Sequence, residues 1–421
     1  MKRLLLIFLL TGCATVPSGI DEVQREVAQR ARPAAATDGE LTADKAVAIA
    51  LANNPRLQAT LAEVGIARAE LMQANTISNP LFEAEVRWPR DPFRPYELRL
   101  AQTLVDLIQL PRRRALGRAA FDAAKLRVTS EVLRFAGDVR MRYYDALAAR
   151  QQAAMSRTAF EAAQAAAELA RKQHQAGNIT DLELENEQAR YEQAKLDLAR
   201  AEQRLLLGRE ALGRLLVMSD VRLPASFPEL PTEELTQQQL EQVAAARRLD
   251  IDIARREADI MKRRVPLARL AALGEITADV HYQRDAAGAR TVGPGIEFPI
   301  PLFNNGAAAR TRAEAEYVRA AQTLNAMLGE SASQLRSANA TLQEARARVL
   351  YYRDVLLPRR RRIVELTKLE HNAMLIGVYQ LLQARQEEAQ AARDYLDAQR
   401  DYWTARNDLD AALNGVAQGA R

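Results

Sequence analysis

The chain has 421 residues, of which 59 are basic and 54 acidic, giving a formal net charge of +5. The two signs are interspersed, and no basic stripe with aromatic residues occurs, so the composition argues against a nucleic-acid-binding protein. A single cysteine excludes an intramolecular disulfide, so the fold must be held by packing alone. Only 5% of residues are aromatic, while Ala, Leu, Glu, Gln and Arg dominate long stretches. This composition is typical of long helices or coiled coils.

The N-terminal residues have the pattern that predicts a secretion signal. Two basic residues precede an apolar run at 4–10, which is too short for a bilayer that needs about 20 residues. The sequence Leu-Thr-Gly-Cys that ends at Cys13 resembles the bacterial lipobox. We therefore predict a signal peptide at 1–12, acylation of Cys13 and a lipid-anchored linker at 13–40. An unmodified or buried thiol is the alternative.

The chain contains an internal repeat. With an offset of 197 residues, 174–216 aligns without a gap to 371–413, with identities that include His174/His371 and Leu184/Leu381. The order of elements repeats as well. Each half reads as a helix, a strand pair, a very long helix, a short break and another long helix. A fixed-period repeat of this kind indicates a duplicated structural unit.

These patterns divide the chain. We predict a first repeat at 41–218 with strands at about 80–102, and a second repeat at 236–416 with strands at about 275–302. Residues 219–235 are rich in Pro and lack periodicity, which predicts a linker between the repeats. We expect residues 417–421 to be a C-terminal tail.

The predicted strands alternate between apolar and polar residues, which indicates one apolar and one polar face. A soluble sheet covering a core would show the same pattern. The helices offer no broad apolar face to cover these strands, so the pattern favours tilted membrane strands. Four strands cannot close on themselves, and several chains must contribute. We expect Phe82, Val86, Trp88, Val280, Tyr282 and Phe298 to face lipid, and Glu83, Glu85, Arg87, Asp279 and Glu297 to face a lumen.

The helices after each break carry a heptad seam. Apolar or small residues recur at alternating steps of three and four from Tyr191 to Leu215 and from Ala391 to Ala412. A sustained heptad repeat predicts supercoiled packing against partners. The helix from about Arg113 to Gln173 is far longer than a globular helix, and Pro358 should kink or interrupt its counterpart.

Three segments together carry a family resemblance. Residues 41–59 (LTADKAVAIALANNPRLQA), 174–178 (HQAGN) and 300–306 (IPLFNNG) resemble, in this order, segments of the TolC-like outer-membrane efflux factor family. The resemblance implies a mainly α-helical fold with a transmembrane β-barrel portion. Each subunit of a homotrimer would give four strands to a twelve-strand barrel, and helices to a long periplasmic α-helical barrel.

The resemblance also implies a function. Such a channel passively conducts metal ions or drugs across the outer membrane, from an inner-membrane pump joined by a periplasmic adaptor, or membrane fusion protein. It is not an enzyme and needs no cofactor. Residues 372–382 look closest to members associated with heavy-metal and copper efflux. The rival class is a lipid-anchored periplasmic coiled-coil scaffold or the adaptor itself, which would carry one helical hairpin between compact β domains.

The resemblance implies that the adaptor docks at two helical tips. The tips comprise Ala176, Gly177 and Asn178, and Ala373, Met374 and Leu375. Because Met374 stands where the family usually has Gly, we expect the two tips to differ in shape. Aperture candidates are the acids Asp181, Glu183 and Glu185 of the first repeat, and Gln380 and Gln383, which replace acids in the second.

Other chemistry leaves little trace. The chain shows no nucleophile with a base, no phosphate-binding Gly loop and no metal-ligand cluster. His174 and His371 occupy equivalent positions beside the tips, where a polar helix end is a commoner explanation than a metal site. The basic runs 112–114 and 359–362 are interpreted as solvated charge, with anionic lipid or peptidoglycan as a minor alternative.

Overall fold

The computed structural model describes residues 19–31, 40–88, 95–271, 274–285 and 287–416. The expected signal peptide, Cys13 and the tail at 417–421 lie outside the described residues. The elements, in chain order, are α1 (Ile20–Ala31), α2 (Ala43–Asn53), α3 (Pro55–Ala74), β1 (Leu81–Val86), β2 (Tyr96–Thr103), α4 (Val105–Gln175), α5 (Asp181–Leu216), α6 (Gln237–Arg247), α7 (Leu249–Ala271), β3 (Thr277–Arg284), β4 (Arg290–Glu297), α8 (Ala307–Tyr351), α9 (Leu357–Asn372) and α10 (Val378–Asn414).

The chain divides into two compact units that do not follow the sequence repeat. One comprises the described residues within 1–25, 60–128 and 252–326, and the other comprises the remaining described residues. Each unit therefore takes residues from both halves of the chain. None of the helices in the described part is both long enough and apolar enough to cross a bilayer.

The first unit contains an antiparallel sheet in the order β1-β2-β3-β4. The two predicted strand pairs are its outer hairpins, and β2 pairs with β3 to join them. Helices α3 and α4 approach each other closely beside the sheet. A Cβ added to Gly117 of α4 would lie 2.7 Å from the Cβ of Ala74, so this contact has room only for glycine.

The second unit is held by two clusters of buried apolar side chains. One joins α2, α4 and α5 through residues such as Val47, Leu147 and Leu212. The other joins α6, α8 and α10 around Tyr402 and Leu342, both fully buried. Each fully buried side chain of this size contributes about 1.5–3 kcal/mol through removal from water. Residues of both predicted heptad seams, such as Leu212 and Tyr402, thus pack against other helices of the same chain.

The segment predicted as a linker also packs into a core. Its residues Val221, Leu223 and Phe227 are buried against the first cluster, although the segment has no helix or strand. Phe227 stacks on Tyr144 with ring centroids 6.4 Å apart. The next helix, α6, begins at a capping box in which Thr236 and Gln239 bond each other's backbone N–H.

Proline interrupts the second long helix, as the sequence predicts. Between α8 and α9 lies one π-helical turn, Tyr352–Leu356, and Pro358 stands in the first turn of α9. A proline inside an α-helix removes a backbone donor and clashes with the carbonyl four residues earlier. The wider turn, closed by the Leu357 N–H donating to the Tyr352 carbonyl, accommodates the ring.

Two buried polar residues hold the breaks between paired helices. Asn54, between α2 and α3, donates to the Leu215 carbonyl at 2.9 Å, while its side-chain oxygen caps the Arg56 N–H at 2.9 Å. Arg248 occupies the corresponding break between α6 and α7, where it donates to the Ser331 carbonyl at 3.0 Å. Both side chains are almost fully buried, so each break is fixed by satisfied hydrogen bonds.

Candidate functional site: a two-faced sheet and two helical tips

The strand register places most of the large apolar residues of the four strands on one face. Phe82 lies opposite Leu100, which lies opposite Val280, and Ala84, Leu98, Tyr282 and Val292 form the next row. This face is uncovered, since Phe82 is 64% exposed and Val280 55% exposed. Exposed apolar patches of this kind mark a surface that another apolar phase or molecule covers. The predicted two-faced sheet is confirmed, and the side that meets lipid remains a prediction.

The opposite face carries a charged network. Arg99 donates to Asp279 at 3.2 Å and to Glu297 at 2.9 Å, and His281 lies 3.6 Å from Asp279. Glycines on β4 make room for these side chains. A Cβ on Gly295 would stand 2.7 Å from the Asp279 carboxylate oxygens, and one on Gly293 would stand 3.0 Å from the His281 ring.

Two carboxylates on this polar face stand directly opposite each other. Glu85 of β1 pairs in register with Glu97 of β2, an arrangement that costs stability in an ordinary sheet. Arg87 offsets part of the repulsion through a 2.8 Å ion pair with Glu85. The paired acids therefore indicate a face selected for a charged, hydrated surface.

The last strand ends earlier than the sequence predicts. The sequence places strands up to about residue 302 and Phe298 on the lipid face, but β4 is Arg290–Glu297, so Phe298 and Ile300 follow it. The segment contains Gly293, Pro294 and Gly295, which disfavour a central strand. Because β4 lies at the edge of the sheet, a proline without an N–H is tolerated there. Phe298 is therefore the first residue after the strand, and its side chain is 57% exposed.

The two helical tips have the same backbone geometry. In the first, the N–H groups of Ala176, Gly177 and Asn178 donate to the carbonyls of residues 172, 174 and 173, at 2.8–3.1 Å. In the second, Ala373, Met374 and Leu375 repeat this pattern on residues 369, 371 and 370, at 2.9–3.0 Å. Both are Schellman motifs, which require a left-handed residue after the helix.

The expected difference in tip shape is therefore wrong for the backbone. Gly177 has φ of +76° and Met374 has φ of +59°, so methionine adopts the conformation that favours glycine. An L-residue in this region costs roughly 1–2 kcal/mol. The tips differ instead in surface chemistry, because Met374 is 93% exposed and Leu375 75% exposed, whereas the first tip presents Gly177 and Asn178.

The two histidines have different partners. The His174 ring nitrogen Nε2 lies 2.6 Å from the Asp181 carboxylate, and the His371 Nδ1 lies 3.2 Å from the Ile376 carbonyl. Position 378, the repeat equivalent of Asp181, is valine. No cluster of three or more His, Cys, Asp or Glu suited to a metal ion occurs among the described residues.

The aperture candidates have distinct local roles. Glu183 belongs to a capping box with Thr180, whose backbone N–H donates to the Glu183 carboxylate at 2.8 Å, so this acid stabilises the start of α5. Asp181 and Glu185 are exposed. In the second repeat Gln380 is exposed, while Gln383 donates to Glu387 at 3.2 Å. Asp181 and Glu185 thus take no part in the capping box of α5.

Sequence comparison with known proteins agrees with this duplicated geometry. Residues 46–216 and 240–415, which make up most of the chain, match the outer membrane efflux protein family. The chain belongs to this family. The resemblance predicted from the sequence is confirmed, and both matched segments contain a strand pair and its long helices.

Individual relatives support the same fold. The cobalt-zinc-cadmium resistance protein CzcC of Cupriavidus metallidurans is 25% identical over 279 residues, which span 63% of this chain and 64% of CzcC. The crystal structure of CusC superposes with a TM-score of 0.72 at 18% identity, covering 89% of this chain and 92% of CusC. The Campylobacter jejuni CmeC outer membrane channel gives 0.70 at 17% identity, covering 93% of both chains. The predicted mainly helical fold is thereby confirmed.

Proposed function

We propose that this protein is the outer-membrane channel of a tripartite efflux system, working as a homotrimer without catalytic activity. The observation that carries the proposal is the two-faced sheet. Its apolar face is exposed, its opposite face is charged, and the outer edges of β1 and β4 pair with no strand of the described chain. A membrane-inserted sheet cannot leave such edges open, because unpaired backbone groups are costly in lipid.

A lipid-anchored coiled-coil scaffold or a periplasmic adaptor explains these observations less well. Neither needs an exposed apolar sheet face opposite a charged one. An adaptor also has a single helical hairpin, whereas here both halves contribute a strand pair and long helices. The channel therefore accounts for more of the molecule.

Reconstitution tests the channel directly. The full chain, purified from outer membranes in a mild detergent, should migrate as a heat-sensitive trimer and give discrete conductance steps in a planar bilayer. The matched variants are Glu85→Gln on the charged face and Glu344→Gln on α8. The first should change the unit conductance and the second should leave it unaltered. A monomeric species without conductance would contradict the proposed channel.

The helical tips are the proposed adaptor-docking surfaces. Their repeated Schellman geometry presents Asn178 and Leu375 at equivalent positions, directly after a left-handed residue. Single cysteines at these two positions should crosslink to the adaptor in cells that export actively. Cysteine at exposed Arg204 on α5 is the control, because it lies away from both turns. Absence of crosslinks at both tips during active export would remove them from the mechanism.

The proposed substrates are divalent metal ions. CzcC is named for resistance to cobalt, zinc and cadmium, and its aligned region covers just under two thirds of its length. A host strain lacking this chain should become sensitive to these metals and recover when the wild-type chain is restored. Sensitivity to dyes or antibiotics without any change in metal tolerance would assign the channel to drugs instead.

Membrane anchoring through acylated Cys13 completes the proposal. It is supported by the lipobox-like Leu-Thr-Gly-Cys sequence. Mass spectrometry of the mature protein should find an acylated N-terminal cysteine, and Cys13→Ser should abolish labelling by radioactive palmitate. An uncleaved N-terminus would refute the lipoprotein assignment and leave the channel proposal intact.

A further inference from the structure

The helix ends that adjoin the sheet carry a cationic surface that the channel proposal does not use. Helix α4 starts directly after β2, and α7 ends shortly before β3. Thr103 at the end of β2 pairs with Thr277 at the start of β3. Both helices therefore adjoin the sheet at the same end of its strands. We call Arg112, Arg114, Lys262 and Arg264 the basic belt.

The belt cations have little acidic compensation nearby. Asp106, the single acid between Val105 and Arg118 on α4, pairs with Arg113 at 3.1 Å. On α7 the neighbouring Arg263 forms an ion pair with Asp259 at 2.6 Å. All four belt side chains are exposed.

Three belt cations lack a partner in the described part of the chain. Arg112, Lys262 and Arg264 have neither a hydrogen bond nor an ion pair there, and Arg114 has one 3.4 Å bond to the Asn75 carbonyl. Cations held in this state have their charge available to an external anion.

Exposed apolar residues lie between the sheet and the belt. Leu107 and Ile108 are 48% and 49% exposed, and they share helix faces with Arg114 and Arg112 at spacings of seven and four residues. After β4, the side chains of Phe298, Ile300, Leu302 and Phe303 are 57–101% exposed. Along the same surface, apolar side chains thus come first and cations follow.

This order matches the depth profile of a membrane. Strands of 8 residues reach at most about 27 Å before tilting, close to the roughly 25 Å apolar band of outer-membrane proteins. The next apolar residues complete that band. Arg112 and Arg114 then lie about 10–14 Å along α4 from Val105, where their apolar stems cover the boundary and their guanidinium groups reach head groups.

We propose that the basic belt binds the phosphate groups of anionic phospholipids in the periplasmic leaflet of the outer membrane. Guanidinium groups suit this partner because they donate two parallel hydrogen bonds to a phosphate. This inference rests on the proposed membrane insertion of the sheet. The belt fixes the depth at which the helices leave the lipid.

Counting the lipids that stay bound to the protein tests lipid binding by the basic belt without a conductance measurement. The full chain in a neutral detergent is titrated with phosphatidylglycerol or phosphatidylcholine, and bound lipids are counted by native mass spectrometry. The wild type should prefer phosphatidylglycerol, and Arg112→Gln/Arg114→Gln/Lys262→Gln/Arg264→Gln should weaken that preference about tenfold or more. If the quadruple variant does not fold, the pairs Arg112→Gln/Arg114→Gln and Lys262→Gln/Arg264→Gln serve instead.

A matched control removes the same charge elsewhere. Arg204, Arg209, Arg359 and Arg361 are exposed in the second unit, and their replacement by Gln should leave lipid preference unaltered. An equal loss of lipid preference in both variants, or no preference in the wild type, would contradict the proposal that the basic belt binds anionic lipid. Loss of trimer mass in the belt variant, with lipid preference intact, would also overturn it, because a second copy of the chain would then be the partner. None of these results depends on conductance. The lipid-binding proposal can therefore fail while the channel proposal stands.

Discussion

Gly177 and Met374 occupy the same left-handed position in two helical turns that are 197 residues apart in the sequence. Their φ angles, +76° and +59°, differ by less than the usual scatter within one conformation. The hydrogen-bond patterns around them also coincide. Both tips thus share one backbone geometry. Glycine adopts this geometry readily at position 177, whereas Met374 is strained in it.

The strain at Met374 is measurable. Met374→Gly should stabilise the second turn by about 1 kcal/mol, because glycine adopts a positive φ without a Cβ clash. Gly177→Ala should destabilise the first turn by a similar amount. Hydrogen exchange of the Leu375 and Asn178 amides, which close the turns, reports both changes. Faster exchange of Leu375 in the Met374→Gly variant would contradict the assignment of strain.

A second left-handed residue ends α5. Val217 has φ of +57°, an unfavourable conformation for a β-branched side chain, and Gly415 with φ of +61° ends α10 in the same way. Val217→Gly should raise the free energy of unfolding in urea by about 1 kcal/mol. Gly415→Ala should lower it, since the added Cβ would stand 2.0 Å from the Asp250 carboxylate. Equal effects of the two substitutions would refute the reading of Val217 as strained.

Glu234 links the buried Tyr402 to the partly exposed Arg406 in the second unit. It accepts hydrogen bonds from the Tyr402 hydroxyl and, at 2.5 Å, from Arg406, while its own side chain is 11% exposed. Glu234→Gln should cost about 1–3 kcal/mol, because it replaces charge-assisted hydrogen bonds in a buried site. Chemical denaturation at pH 7 measures the loss, and Glu344→Gln, which changes an exposed carboxylate, is the control.

The same site predicts an alkaline limit to stability. Burial, together with the hydrogen bond to Glu234, raises the pKa of Tyr402 to about 12, against about 10 in an unfolded chain. The resulting stability is complete below pH 10 and is lost as the pH rises toward 12. The free energy of unfolding should fall less steeply above pH 10 in Tyr402→Phe than in the wild type. Tyr351→Phe, at a 56% exposed site, should leave the slope unaltered.

The two faces of the sheet should respond differently to a positive charge. Val280→Lys places an ammonium on the apolar face and should cost about 2–4 kcal/mol near the bilayer midplane. Gln283→Lys places the same group on the polar face of the same strand and should be tolerated. The yield of trimer in the outer-membrane fraction compares the two. Equal yields would reverse the proposed orientation or remove the sheet from the membrane.

The sequence predicts those features that depend on periodic patterns or on proline chemistry. Alternation places Phe82 and Glu83 on opposite faces, and Pro358 interrupts its helix as expected. The buried packing of Phe227 was missed because an irregular segment has no period to reveal it. The bounds of β4 were missed because Gly293 and Pro294, which are uncommon in strands, lie within it and break the alternating pattern.

The tip conformation illustrates a different limit. Local preference disfavours a positive φ at Met374, yet the hydrogen bonds that end α9 impose it. The hydrogen bonds that cap the helix therefore outweigh the intrinsic preference of this residue. Among the tip and aperture residues, the sequence did not reveal that Glu183 is a capping residue, although the Thr-x-x-Glu spacing from Thr180 carries that signal.

The pairing of β2 with β3 sets an order of events during biogenesis. Arg99 and its partner Asp279 are separated by 180 residues in the chain, so the first hairpin is synthesised and exported long before its neighbour. Closing so long a loop is slow, and the exposed Phe82 and Leu100 remain available for aggregation meanwhile. Pairing of β2 with β3 must therefore wait until the second half of the chain has been made, and the apolar face of the first hairpin stays without its neighbouring strand until then.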